Sequence, residues 1–314
     1  MHINNIFNSG KFIIAAEARN TRIQIAIRGV LKLRKKLFSV IIAATILTYF
    51  CPKASAAVNL DEYVCLPVLM YHSVRPWGSD KDSITPAEFE NDLKFLKENG
   101  YQTITMTDLL NFVDGRGKLP EKPIMLSFDD GYYNNYKYVY PLLKQYDMRI
   151  VLSIIANATD KFTRRPSDSE GYSHITWGQL NEMIASGHAE VQNHTYDLHA
   201  TNKGRIGCKQ KDGEPLEEYR AVLSEDLAKS QAMIYVMTGE MPSTFAYPYC
   251  KYNDNTVTIL KELGFRASFS CNFGINLICK EGEPDLFSMR RICRAHNQSA
   301  EKMIRDAMET LKFR

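Results

Sequence analysis

The sequence predicts an α/β protein, an irregular (β/α) barrel of about seven units forming a single catalytic domain. From Leu66 onwards, short apolar runs alternate with longer amphipathic stretches, the pattern of βα units around a parallel sheet. One run, Ile124 to Phe128, is apolar almost throughout, as a strand covered on both faces must be. Acidic and histidine-bearing segments follow directly on the ends of such runs, and parallel-sheet proteins place their sites at the carboxyl ends of strands.

In chain order, the pattern predicts a first strand over Leu66–Tyr71, then a helix over Pro86–Asn99, where Phe89, Leu93 and Leu96 recur at helical spacing and Gly100 stops it. A short strand over Gln102–Met106 and a helix over Thr107–Val113, opened by Thr and Asp, come next. After Ile124–Phe128 the spacing predicts a helix over Tyr133–Tyr146, a strand over Ile150–Ile155 and a helix over Trp177–Ser186, capped by Thr176 and stopped by Gly187. Ala189–Gln192 reads as a strand, Leu216–Thr238 as a long helix and Thr244–Tyr247 as a strand. A helix over Asp254–Leu263, strands over Ala267–Ser270 and Phe287–Ile292, and a closing helix over Ala300–Leu311 complete the pattern.

The 314 residues are 45% hydrophobic and 24% charged, ordinary for a globular protein, and carry a net charge of +3. That charge is unevenly spread. Of 39 Lys and Arg and 36 Asp and Glu, nine bases and one acid fall in residues 1–56, which leaves 30 bases against 35 acids in the body. The body has no basic stripe, so no nucleic-acid partner is expected. The basic segment reads Leu31-Lys-Leu-Arg-Lys-Lys36, an apolar run from Leu37 to Phe50, and a small-x-small end at Ala54-Ser55-Ala56. This is the plan of a secretory signal peptide, and a run of 14 residues falls short of the roughly 20 that span a bilayer. Residues 31–56 are therefore expected to be a cleaved signal or an N-terminal anchor, with the catalytic domain over 57–314 outside the cytoplasm as a monomer. Residues 1–30 are expected to be an over-long start without fold.

Seven cysteines stand at Cys51, Cys65, Cys208, Cys250, Cys271, Cys279 and Cys293. No CxxC pair is present, which argues against a structural zinc cluster, and an exported setting permits disulfides. Cys271 and Cys279 are near enough in sequence to close a local loop, while buried free thiols are the alternative.

Four segments carry chemistry. Ser127-Phe128-Asp129-Asp130-Gly131 sets two adjacent carboxylates at a buried strand end, a costly arrangement unless a cation neutralises one of them. Asn193-His194-Thr195-Tyr196-Asp197-Leu198-His199 follows another strand and offers two imidazoles that can converge on one ion. Two His and one Asp make a facial set that suits Zn²⁺ or another first-row divalent ion and leaves positions open. Phe245-Ala246-Tyr247-Pro248-Tyr249 runs a strand into a rigid turn whose next amide donor is Tyr249, as an oxyanion requires. Met70-Tyr71-His72-Ser73-Val74 places a histidine after the first strand, where it can act as a general acid.

In this order the four segments resemble the polysaccharide deacetylases of carbohydrate esterase family four, the NodB-homology domain, from about Leu66 to Ile292. The resemblance implies that Asp129 is the catalytic base and Asp130 a metal ligand, with His194 and His199 completing the site. Those histidines lie five apart where four is usual in the family, which resembles the branch acting on poly-N-acetylglucosamine in biofilms, and there the acid is supplied by the first strand, here His72. The family's third motif begins with an arginine that orients the base, whereas this chain has Thr244-Phe245-Ala246-Tyr247. Arg290 and Arg291 are the candidates to replace it, Arg291 first. The Asp/Trp pair that braces the acid in the family has no clear counterpart, and Asp197 is a candidate to orient a ligand histidine.

The implied reaction is metal-dependent hydrolysis of acetamido groups on an N-acetylated polysaccharide, with Zn²⁺ expected first and Co²⁺, Ni²⁺ or Mn²⁺ as alternatives. Contact with the membrane is expected only through residues 37–50. Two other readings compete: a glycosidase using Asp129 and Asp130, and an inactive carbohydrate-binding member of the fold, which the missing motif arginine favours.

Overall fold

The computed structural model describes residues 62–77, 82–201, 204–279 and 284–313. The expected extension over 1–30 and the signal or anchor over 31–56 lie outside them. Among the described residues no helix is long and apolar enough to cross a membrane.

The strands are β1 (Tyr63–Leu66), β2 (Val68–Tyr71), β3 (Ser73–Val74), β4 (Ser83–Ile84), β5 (Gln102–Thr103), β6 (Pro123–Phe128), β7 (Ile150–Ile154), β8 (Ala189–Asn193), β9 (Thr244–Ala246), β10 (Ala267–Phe269), β11 (Asn276–Cys279) and β12 (Ile292–Cys293). The α-helices are α1 (Pro86–Glu98), α2 (Met106–Val113), α3 (Tyr140–Tyr146), α4 (Ala156–Arg164), α5 (Trp177–Ala185), α6 (Leu216–Thr238), α7 (Asp254–Glu262) and α8 (Ala300–Glu309). One curled parallel sheet runs β10-β9-β8-β7-β6-β2-β12, with β5 added beside β6. Just before β12, Met289 bridges back in parallel to Phe269 of β10, so the chain from Met289 to Cys293 touches both ends of the strand order. This is the expected (β/α) barrel.

The central strands are buried on both faces: every residue of β2, β6 and β7 is buried. Tyr71, Phe89 and Phe128 form a trio beneath the site, Tyr71 stacked on Phe128 at 4.9 Å and Phe89 edge-on to both at 5.4 and 5.6 Å. Such pairs add about 0.5–1.5 kcal/mol each beyond area burial. Two rings of the trio immediately precede His72 and Asp129 in sequence, so core packing fixes where those side chains emerge. Close by, Arg294 donates from Nε to the buried Asp92 carboxylate at 2.7 Å, and Tyr71 donates its hydroxyl to the same oxygen at 3.2 Å, which ties β12 to α1 and β2.

Several boundaries differ from the sequence expectation. Thr105 turns out of the ladder to cap α2 in a box with Asp108, which ends the predicted Gln102–Met106 strand at Thr103. The predicted helix over Tyr133–Tyr146 divides into a π-helical turn over Asn135–Val139 and α3. The predicted last strand over Phe287–Ile292 is only Ile292–Cys293, its forerunner being the single Met289 bridge. Helix α4, the antiparallel pair β1–β11 and the β3–β4 pair were not expected.

Helix α1 opens on a capping box in which Glu88 accepts from the Thr85 amide at 2.8 Å, and it also accepts from the Asn297 amide at 2.7 Å and faces His296 Nδ1 at 2.8 Å. Partial burial raises the Glu88 carboxyl, but these donors together hold it down to about 2. Unfolded, a Glu titrates near about 4.3. A depressed folded value stabilises the fold above the unfolded value and loses that contribution as pH falls towards 2. Glu88→Gln is therefore expected to cost about 1 kcal/mol at neutral pH. In urea unfolding the gap from the unaltered protein should close between about pH 4.3 and 2.

Candidate active site and metal centre

The ends of β2, β6, β8 and β9 meet at a cleft of about 770 Å³. Asp129 extends β6 by donating its amide to the Tyr71 carbonyl (3.0 Å), and the chain then turns through two left-handed residues, Asp130 and Gly131, both at φ 71°. A Cβ on Gly131 would lie 2.9 Å from Ile154 Cγ2, so only glycine fits between this turn and β7. Asp130 is a non-glycine residue in left-handed backbone, a conformation that clusters at functional sites. Just after β8, His194 donates its amide to the Ile154 carbonyl and Thr195 takes φ 80°, its amide held by Asn193 Oδ1 at 2.8 Å.

The Nδ1–H of His194 donates to the Ala246 carbonyl at 2.8 Å, which leaves the Nε2 of a neutral ring as a lone pair, 3.4 Å from Asp130 Oδ1. His199 turns its Nε2 to the same oxygen at 3.1 Å, and its Nδ1 lies 3.3 Å from the Tyr249 hydroxyl. Asp130 Oδ1 is buried and takes no hydrogen bond among the described residues. One ligand atom from each of Asp130, His194 and His199 lies within 4.8 Å of the others. A carboxylate oxygen facing two nitrogen lone pairs in a buried site fits a divalent cation among them, and the outward Nδ1 contacts fix the ring orientations a metal requires. Burial would raise the Asp130 carboxyl, but His194 and His199 hold it well below the usual carboxylate range.

Asp129 is 2% exposed and points to the other side. Arg291, 1% exposed, meets it side-on: Nη1 donates to Oδ1 at 2.8 Å and Nη2 lies 2.8 Å from Oδ2. The guanidinium is held in turn by the Ser270 carbonyl through Nε (2.8 Å) and by the Ser127 hydroxyl. Burial raises the Asp129 carboxyl, and Arg291, His194 and His72 more than offset this, so it stays ionised below its ordinary value. His72 Nε2 stands 4.0 Å from Asp129 Oδ2, half-buried on the wall of the cleft. All seven residues predicted for the site thus share one cleft or back its wall. Arg290, the other arginine candidate, instead donates to the Phe273 carbonyl.

Tyr249 occupies a left-handed conformation (φ 53°) in the turn after β9, its ring 4.5 Å from that of His199. The neighbouring Cys250 is disulfide-bonded to Cys271, so the local Cys271–Cys279 loop considered from spacing does not form. Asp197 is also corrected: its exposed carboxylate accepts from Asn157, while the contacts that orient the ligand rings come from Ala246 and Tyr249. Asp226 of α6 was missed by sequence reasoning; it accepts from the amides of Tyr196 and Asp197, both at 2.8 Å, and so shapes the histidine loop. Tyr132 and His174 were missed as well. His174 donates from Nδ1 to the Asp130 carbonyl at 2.9 Å and stacks on Tyr132, whose hydroxyl is raised by burial and by Asp130. Only the position of Tyr132 beside Asp-Asp-Gly could have signalled any of the three.

Residues 116–268 match the family model described as Polysaccharide deacetylase. That match takes in 153 of the 314 residues and the centre of the barrel, so the chain is similar to the polysaccharide deacetylases. The match contains Asp129, Asp130, His194, His199 and Tyr249, and it leaves His72 and Arg291 outside. Among relatives, YxkH of Bacillus subtilis (strain 168) is 29% identical over 213 residues, 68% of this chain and 66% of that protein, so the chain spans just under two thirds of it. The poly-beta-1,6-N-acetyl-D-glucosamine N-deacetylase of Staphylococcus aureus (strain N315) is 28% identical over 216 residues, 64% of this chain and 70% of that one. Among solved structures, a de-N-acetylase from Aggregatibacter actinomycetemcomitans superposes with a TM-score of 0.64 at 25% identity, covering 77% of this chain and 99% of that one. IcaB from Ammonifex degensii gives 0.61 at 25% identity, covering 78% and 98%.

Proposed function

We propose that the protein is an extracytoplasmic N-deacetylase that hydrolyses acetamido groups of an N-acetylglucosamine-containing cell-surface polysaccharide and releases acetate. The observation that carries this reading is the pairing of two adjacent carboxylates with different partners: Asp130 with two imidazoles, Asp129 with a buried arginine. Asp130, His194 and His199 would hold a divalent cation, Zn²⁺ first, with Co²⁺, Ni²⁺ or Mn²⁺ as alternatives that the same ligands accept. When bound, that cation polarises a carbonyl oxygen and acidifies water.

The chain's own residues then divide the proton traffic. Asp129, kept ionised by Arg291, accepts the proton of the attacking water. The backbone amide of Tyr249 donates to the oxygen on which charge develops, and His72 protonates the departing amine. No covalent enzyme intermediate is required. A glycosidase reading fits poorly, because it needs its two carboxyls about 5 Å or more apart across a glycosidic bond and assigns no task to the histidines. The inactive reading drew its support from the missing motif arginine, and Arg291 supplies a guanidinium to Asp129 from just before β12.

The test is acetate release from N-acetylglucosamine oligomers, expected to stop on chelation and return with Zn²⁺. No release from any N-acetylated glycan would overturn the reading, and release indifferent to chelation would overturn the metal assignment. For His72→Ala, turnover on the amide is expected to fall on the order of 10²-fold with metal content retained. An activated acetyl ester should suffer far less, since a phenolate leaves without a proton. Equal losses on both substrates would remove His72 from proton transfer.

A further inference from the structure

The turn carrying Tyr249 holds two consecutive non-glycine residues in left-handed backbone, Tyr249 at φ 53° and Cys250 at φ 57°. Such conformations persist only where the surroundings over-determine them. Three contacts do so here. Pro248 opens the turn, the Cys250 amide donates to the Tyr247 carbonyl at 3.0 Å, and the Cys250 sulfur is bonded to Cys271, 21 residues on.

The far end of that disulfide is equally placed. Cys271 lies between Ser270, whose carbonyl accepts from Arg291 Nε at 2.8 Å, and Asn272, whose carbonyl accepts from the Arg291 amide at 3.0 Å. One covalent bond thus joins the turn that touches His199 to the loop that holds the arginine of Asp129. Both cysteines line the cleft and are partly exposed, within reach of a small reductant.

We propose that the Cys250–Cys271 disulfide is a redox latch on the catalytic site: oxidised, it holds the Tyr249 turn against His199, and reduced, it lets the turn relax and slackens the metal site. Cys250 and Cys271 are positioning residues, acting through Tyr249 and His199. In the opening step a phosphine attacks one sulfur, the S–S bond breaks, and hydrolysis of the phosphonium yields phosphine oxide and two thiols, with water supplying the oxygen and the protons. The consequence is an enzyme at full strength in an oxidising exterior and weakened in a reducing compartment.

This inference rests on the assignment of His199 as a metal ligand in the proposed deacetylase, and its test reads the metal without turnover. Zn²⁺ affinity is measured by chelator competition in the unaltered protein and in Cys250→Ala/Cys271→Ala, each with and without tris(2-carboxyethyl)phosphine. Melting curves are recorded to establish that both are folded at the assay temperature, and acetate release is followed in parallel. Losing the partner that orients a ligand histidine typically costs 10–100-fold in metal affinity or activity. The double variant is expected to bind Zn²⁺ about tenfold more weakly and to ignore the reductant. The unaltered protein should lose kcat on reduction and regain it on reoxidation. Equal Zn²⁺ affinity in the oxidised protein and the folded double variant would overturn the latch, as would two alkylatable thiols at 250 and 271 in non-reduced protein. A response of the double variant to reductant would trace the effect to the reagent and would also overturn it. Failure of acetate release alone, with the affinity difference present, would count against the deacetylase reading and leave the latch standing.

Discussion

Asp129→Asn is expected to lower turnover on N-acetylglucosamine oligomers by about 10²–10⁴-fold while the protein keeps its divalent ion. The amide has nearly the shape of the carboxylate and can still accept from Arg291 Nη1, which in the unaltered protein donates at 2.8 Å. It cannot take a proton from water. Since Asp130 and not Asp129 faces His194 and His199, metal content by elemental analysis should stay near that of the unaltered protein. Near-normal turnover would move the base elsewhere, and loss of the ion together with turnover would mean that the two carboxylates share it.

Removing the arginine should be as damaging by a different route. Arg291→Met removes the guanidinium from the buried Asp129 carboxylate and leaves the His72 imidazole 4.0 Å away, and breaking a buried pair typically costs about 3–5 kcal/mol. Without the guanidinium, burial dominates and pushes the Asp129 carboxyl upwards, so the base is protonated over more of the pH range and the acid limb of the pH–rate profile moves to higher pH. Two measurements separate this from general damage. Urea unfolding of Arg291→Met/Asp129→Asn should recover much of the stability lost in the single variant, because no buried charge is left without its partner. Its turnover should not recover at all. A double variant as unstable as the sum of the two singles would show that Arg291 acts chiefly through its other contacts with Ser270 and Phe269.

The parts of the molecule legible in the sequence are those with a one-dimensional signature. Ile124–Phe128 is recognisable because a strand covered on both faces has no room for alternation, and the two aspartates and two histidines stand out because they follow such runs. Helix α4 has no such signature: its sequence ANATDKFTR buries only Ala156 and Thr159, so no apolar stripe marks it. Leu66–Tyr71 reads as one strand but is two. Pro67 has no amide to give the ladder, and at that point the chain passes from pairing with β11 to pairing with β6 and β12. The partner of Asp129 was narrowed to two arginines, yet it lies 162 residues away, and only the three-dimensional path of the chain chooses between Arg290 and Arg291. The disulfide was illegible for a related reason, since six cysteines after Cys51 allow 15 full pairings and spacing favours none of them.

The Met289–Cys293 segment makes one part of the site depend on the joining of the sheet's two ends. Met289 bridges to β10 at one end of the sheet and Ile292 lies in β12 at the other, paired with β2, so Arg291 stands at the join between the two ends. A chain folded only as far as β10 already holds Asp130, His194 and His199, but it leaves the charge of Asp129 without its guanidinium. The three residues proposed to hold the ion thus precede the join in sequence, and the arginine that meets Asp129 lies within it. A barrel parted at this seam is expected to lose turnover while nearly all of its strands stay in register.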